Sequence, residues 1–194
     1  MPLIYLIRHA EPEKDGGGDF GLTARGHEQA RVTAAALAQR WPAPLPLLSS
    51  PLLRCRDTAA PLARRWGVEL RIEPRVIEFP SPQAQGVVRG DWLRFALRGS
   101  WQAAADDGEA RQPGYAAQLA DWRAGIVAAL RDCTQDTVIC THFVVINSLL
   151  GGLRGDGGAI CQAMPDHASV SVVECVDGRL ALLEMGREIV TPVL

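Results

Sequence analysis

The chain has 194 residues, enough for one domain with a substantial buried core, and a single domain over residues 1–194 is expected. Its apolar fraction of 47%, charged fraction of 22% and net charge of −2 exclude a disordered chain and give no electrostatic reason to bind nucleic acid or an anionic membrane. No apolar run approaches the roughly 18 residues of a membrane span.

Leu3-Ile4-Tyr5-Leu6-Ile7 is an uninterrupted apolar run, the pattern of a strand buried on both faces of a parallel sheet. A glycine-rich acidic stretch follows, from Glu11 to Gly21. Ala30, Ala34, Leu37, Ala38 and Trp41 then fall on one helical face, with Thr23 as the cap and Pro42 as the stop. Leu45 to Leu48 predicts a short second strand. Ser50-Pro51 reads as a helix start, and Leu52, Cys55, Ala59, Leu62 and Trp66 form the buried stripe behind it. Pro61 lies inside that stripe, where a kink is expected, and Gly67 closes the helix.

Val68 to Ile72 predicts a third strand. Residues 73 to 114 are the least regular part, with one short helix expected around Trp92 to Leu97. The clearest helix follows, on Tyr115, Leu119, Trp122, Ile126, Leu130 and Cys133. Thr137 to Thr141 is another buried strand, leading to an apolar helix from Val144 to Leu150. Ser169 to Val176 and Arg179 to Glu184 flank Asp177-Gly178, a strong hairpin signal. Alternating strands and helices predict a three-layer α/β/α sandwich: a mostly parallel sheet with a late antiparallel hairpin.

The five cysteines read as buried free thiols, and none begins a Cys-x5-Arg loop. The N-terminus shows no charged lead-in or cleavage site, so a cytoplasmic location is expected. Nineteen arginines accompany one lysine, Lys14, and no phosphate-binding G-x-x-x-x-G-K-[ST] loop occurs. Gly16-x-Gly18-x-x-Gly21 does not directly follow its strand, so it is not read as a dinucleotide fingerprint. No paired histidine spacing of the H-E-x-x-H kind suggests a metal, and no cofactor is expected.

In sheets of this kind, ligands bind beyond the carboxyl ends of the strands. That rule selects Arg8-His9-Ala10-Glu11 after the first strand, and Ser49-Ser50 with Arg54 and Arg56 after the second. It also selects Thr141-His142-Phe143 after the strand through Cys140. Two imidazoles and at least two guanidiniums can therefore meet at one rim, near helix N-termini that favour anions. Such a rim is an anion site that also contains a nucleophile.

These residues resemble the histidine phosphatase superfamily, which includes the phosphoglycerate mutases. Leu6-Ile7-Arg8-His9-Ala10 is similar to its Arg-His-Gly signature, and Leu22-Thr23-Ala24-Arg25-Gly26-His27-Glu28-Gln29-Ala30 to its L-T-x-x-G-x-x-Q-A segment. Residues Ser49 to Ala59 are close to S-S-P-x-x-R-x-x-x-T-A, and Thr141-His142 stands where the family has Ser-His-Gly. The resemblance implies a phosphoglycerate mutase-like fold and a metal-independent phosphatase acting on small phosphomonoesters. By that resemblance His9 is the nucleophile that becomes phosphorylated. Arg8, Arg54 and His142 surround the phosphoryl oxygens, and Glu78 gives the leaving group its proton. His-Asp, the donor arrangement of another branch, is absent because Phe143 follows His142.

Several positions depart from the pattern. Ala10 and Phe143 replace the family's glycines after the two histidines, and Phe143 is expected to add bulk at the pocket and favour an apolar or aromatic leaving group. Asp15 stands where the mutase branch has asparagine, so the loop around Gly16-Gly17-Gly18 is expected to be arranged differently. Arg56 and His27 read as surface and structural residues, and His167 as a cap or surface residue that can also edge the pocket. Phosphoglycerate mutase-type transfer, dephosphorylation of phosphohistidine proteins, and phospho-ligand binding without turnover stay open as alternatives. The expected partner is a small phosphorylated substrate, with no nucleic acid and no membrane.

Overall fold

The computed structural model describes residues 1–13, 19–83, 88–154 and 158–188. Asp15 and glycines 16–18 lie outside these residues. The described elements, in chain order, are β1 (Leu3–Arg8), α1 (Ala24–Arg40), β2 (Leu47–Ser49), α2 (Leu53–Trp66), β3 (Arg71–Ile72), a 3-10 turn (Pro74–Val76), α3 (Arg89–Arg98), α4 (Trp101–Arg111), α5 (Tyr115–Arg131), β4 (Thr137–Thr141), α6 (Phe143–Arg154), β5 (Val170–Val176) and β6 (Arg179–Glu184). None of these helices is long and apolar enough to cross a membrane.

The strands form one sheet in the order β3-β2-β4-β1-β5-β6. The first four are mutually parallel, and β5 and β6 add an antiparallel hairpin, as the alternation of patterns predicts. Successive side chains of a strand point to opposite faces, and β1 shows why its run must be apolar throughout. Ile4 and Leu6 pack with Ile126, Leu130 and Val145 of α5 and α6 on one face. Tyr5 and Ile7 pack with Ala34 and Leu37 of α1 and with Cys55, Ala59 and Leu62 of α2 on the other. Two covered faces make three layers.

At the hairpin, Asp177 and Gly178 both take positive φ, 49° and 73°, the geometry that favours Asp-Gly in a two-residue loop. Thr23 caps α1 by accepting a hydrogen bond from Gly26 N.

Some boundaries differ from the sequence expectation for identifiable reasons. α2 runs from Leu53 rather than from Ser50; the Ser50 hydroxyl accepts from Leu52 N at 3.4 Å and also lies 2.7 Å from His142 Nε2. The helix continues through Pro61 to Trp66. The third strand shrinks to Arg71–Ile72 at the exposed sheet edge. Helix α4 is an addition that periodicity does not announce. Its sequence WQAAADDGEAR buries only Trp101, Ala104 and Gly108, yet Ser100 caps it by accepting from Ala103 N.

Candidate active site

Parallel pairing of β1 with β4 sets Arg8 opposite Thr141, so the next residue of each strand leaves the sheet beside the other. Those residues are His9 and His142. His9 N donates to Thr141 O at 2.8 Å, and the two imidazole centroids are 5.4 Å apart, edge to face. Both rings are buried, His9 with 5% of its surface exposed and His142 with none.

The backbone fixes the chemistry of His9. Its Nδ1 lies 2.8 Å from the carbonyl oxygen of Ala10, which can only accept, so Nδ1 carries the hydrogen and Nε2 keeps its lone pair. Burial drives the His9 proton affinity well below that of a free histidine, and the neighbouring His142, Arg54 and Arg8 reinforce the shift against the Ala10 hydrogen bond. The ring is therefore a neutral imidazole near pH 7.

Arg54 on the first turn of α2 is buried, with Nη2 3.3 Å from His142 Nδ1 and 3.6 Å from Glu78 Oε2. Glu78 follows the 3-10 turn, and its side chain is only 9% exposed. Its Oε1 accepts from Phe79 N, and Oε2 lies 3.4 Å from His142 Nδ1. Burial alone raises the proton affinity of a carboxyl, but the attraction of His142 and Arg54 outweighs it and holds Glu78 below the usual carboxylate range. Burial lowers the proton affinity of His142, with Glu78 opposing. His9, Glu78 and His142 offer donor atoms all within 4.8 Å of one another, the one such set among the described residues. They are the residues that could hold a metal ion, but Arg54 already brings a fixed positive charge to that spot.

Arg8 is clamped from several sides. Nη1 donates to Pro165 O at 2.7 Å, Nη2 lies 3.0 Å from His167 Nε2, and the guanidinium carbon sits 5.0 Å from the centre of the Phe143 ring. Its Nε is buried and has no hydrogen-bond partner among the described residues, which leaves one donor to satisfy. Burial lowers the Arg8 pKa to about 10, so the guanidinium stays charged at neutral pH.

The sequence signatures turn out to be braces for this cluster. Thr58 Oγ1 accepts from Ala10 N and donates to Arg54 O, tying the loop after His9 to the helix that carries Arg54. Gln29 Oε1 accepts from Glu11 N, and Thr23 Oγ1 reaches Glu11 Oε1 at 3.0 Å. Gly26 must lack a side chain, since a Cβ there would stand 2.1 Å from Glu11 O.

The structure brings all five sequence-selected residues together: Arg8, His9, Arg54, Glu78 and His142. It changes one other reading and decides a second. Phe143 does not line the cavity of about 870 Å³ that opens beside Arg54 and Glu78; it underlies Arg8 instead, so it gives no basis for an apolar leaving group. His167 takes the pocket-edge place that its position before a strand allowed, partly buried rather than free on the surface. Its ring lies 5.9 Å from His9 and its Nε2 meets Arg8, and burial followed by the Arg8 charge pushes its pKa to about 4. The signal for it was its place just before a strand next to β1, which only the β1–β5 pairing converts into contact. Arg56 is exposed, as expected, and His27, read as structural, is exposed too.

A family model described as histidine phosphatase superfamily (branch 1) matches residues 4–188. No curated protein is a significant sequence match. Similar solved structures include a mycobacterial glucosyl-3-phosphoglycerate phosphatase with inorganic phosphate, 23% identical over 97% of this chain and 98% of that one, with a TM-score of 0.64. A phosphoserine phosphatase from Entamoeba histolytica in complex with 3-phosphoglyceric acid is 19% identical over 96% and 98% of the two chains, with a TM-score of 0.70. The alpha-ribazole phosphatase from Shigella flexneri is 21% identical over 95% and 96%, with a TM-score of 0.69. At these identities the likeness is one of fold.

Proposed function

The chain belongs to the histidine phosphatase superfamily, and from that premise we propose that it is a metal-independent phosphatase that hydrolyses small phosphomonoesters through a phosphohistidine on His9. The observation that carries this reading is the His9–Ala10 hydrogen bond, which holds a buried, neutral imidazole with its Nε2 lone pair free beside a second histidine and two arginines. The names of similarly folded proteins support the hydrolytic direction of the chemistry.

In the first step His9 Nε2 attacks phosphorus, a P–N bond forms, and the P–O bond to the alcohol breaks. The charge spread over the phosphoryl oxygens in a loose transition state is met by Arg8, Arg54 and His142. Glu78 supplies the leaving oxygen with a proton. In the free site Glu78 is ionised by its attraction to His142 and Arg54. An arriving phosphate dianion engages those same partners and adds negative charge, so Glu78 gains proton affinity when substrate binds. In the second step the carboxylate takes a proton from water, water oxygen attacks phosphorus, the P–N bond breaks, and inorganic phosphate leaves with His9 neutral again.

The test is hydrolysis of p-nitrophenyl phosphate with a chelator present, together with trapping of an acid-labile phosphoenzyme. The wild-type protein is expected to turn over and to label, and His9→Ala to do neither. Equal product release by both proteins, or loss of activity to the chelator, would refute the reading.

A further inference from the structure

The cavity beside Arg54 and Glu78 is about 870 Å³, toward the upper end of the roughly 300–1,000 Å³ that hold drug-sized ligands. A three-carbon leaving group would leave most of it empty. Its walls include Phe20, Leu52, Ile77, Pro80, Leu93 and Trp122, drawn from several elements. Trp122 is held in place by a hydrogen bond from Nε1 to Ile77 O, and Phe20 by the Arg54 guanidinium at 5.0 Å. A wall of this kind rewards burial of an apolar body.

One charge lining this cavity has no ion-pair partner among the described residues. Arg54 faces Glu78, and Asp19 faces Arg56 at 3.6 Å and accepts from Leu53 N. Arg89, at the start of α3, has no carboxylate within 4.0 Å among the described residues. Arg89 is exposed as a residue, but its head is held: Nη1 donates to Ser81 Oγ at 3.2 Å and Nη2 to Phe79 O at 2.9 Å. Those bonds use two of its five N–H groups and hold the rest of the fork in one place. The wall it rests on is itself stiff, since Pro80 O accepts from Tyr115 Oη and Trp92 Nε1 while Phe79 stacks with Trp92. A held guanidinium with no carboxylate beside it among the described residues, lining a mostly apolar cavity, is suited to one carboxylate on an otherwise apolar ligand.

We propose that this cavity holds the alcohol half of the substrate, that this half is an aryl-sized apolar body bearing a carboxylate, and that Arg89 reads the carboxylate. The inference rests on the phosphatase reading of the adjoining site and narrows its substrate class.

The experiment compares carboxyphenyl phosphates, in the ortho, meta and para forms and the longer carboxymethyl form, with their carboxamide counterparts of similar electron demand. In wild-type protein at least one carboxylate is expected to exceed its amide by tenfold or more in kcat/KM. In Arg89→Met that ratio is expected to fall to about one, as loss of one charge-assisted contact of about 1.5–3 kcal/mol requires. No discrimination in the wild type, or an equal loss on acid and amide in the variant, would make Arg89 a brace for the Phe79–Ser81 wall and nothing more. Should Arg89→Met not fold, the wild-type ratio alone decides. Absence of turnover on every ester, p-nitrophenyl phosphate included, overturns the phosphatase reading; calorimetric affinities of the same acid and amide pairs then decide the cavity proposal separately.

Discussion

Replacing Glu78 by glutamine isolates its proton from its shape. The glutamine amide can keep the acceptor for Phe79 N, but it removes the charge that faces Arg54 at 3.6 Å and His142 at 3.4 Å. At an effective dielectric constant near 20, unit charges 3.6 Å apart attract by about 5 kcal/mol before desolvation. A phosphate dianion must share Arg54 with that carboxylate, so Glu78→Gln frees Arg54 and strengthens phosphate binding. If roughly a third of the attraction survives solvation changes, inorganic phosphate inhibits about tenfold more tightly. Turnover moves the other way. A positioned general acid contributes about 10²–10⁴-fold, and that factor is lost on alkyl phosphates, whose alkoxides need a proton. It is largely kept on p-nitrophenyl phosphate, whose phenolate departs unprotonated. The assay is kcat for both esters, with phosphate inhibition measured on the same preparations. An equal fractional loss on both esters, or weaker inhibition by phosphate, would refute the assignment of Glu78 as the acid.

Other consequences follow from the same contacts. His167→Ala removes an acceptor from the buried Arg8 guanidinium, and loss of a hydrogen bond to a charged group costs about 1.5–3 kcal/mol. A fall of about 10–100-fold in kcat/KM is expected at unchanged fold by circular dichroism, with His167→Gln recovering most of it; no recovery would argue against the acceptor role. Gly26→Ala drives a Cβ to within 2.1 Å of Glu11 O, so α1 or the loop must shift. Such overpacking costs about 1–3 kcal/mol, and a wild-type urea midpoint in this variant would contradict the close approach. Burial lowers the proton affinity of His9, His142 and His167, so each binds a proton more readily unfolded than folded. Their contribution to stability is complete above the unfolded value of about 6.5 and erodes as pH falls below it. The slope is at most about 1.4 kcal/mol per pH unit for each ring, and only between its folded and unfolded values. Equal urea midpoints at pH 7 and pH 5 would contradict this.

Much of the molecule follows from local pattern. The run Leu3–Ile7 and the strand through Cys140 are apolar through their centres because central parallel strands have no solvent face, and that is visible without coordinates. The rule that ligands gather beyond strand ends then selects Arg8, His9, Arg54 and His142, and the family resemblance adds Glu78. Helix α4 escaped because alanine and aspartate carry no apolar stripe; its buried face is made by its neighbours, with Tyr115 of α5 packed on Gly108 and Phe79 against Trp101.

Only the tertiary structure decided which nitrogen of His9 is free, since that depends on where the Ala10 carbonyl points. It also decided that Ser50 meets His142, that His167 grips Arg8 across 159 positions of sequence, and that Phe143 lies under Arg8 rather than in the cavity. Periodicity reports which face of an element is buried. It does not report which distant side chain shares that burial, because strand order and register are set by the packing of the whole sheet.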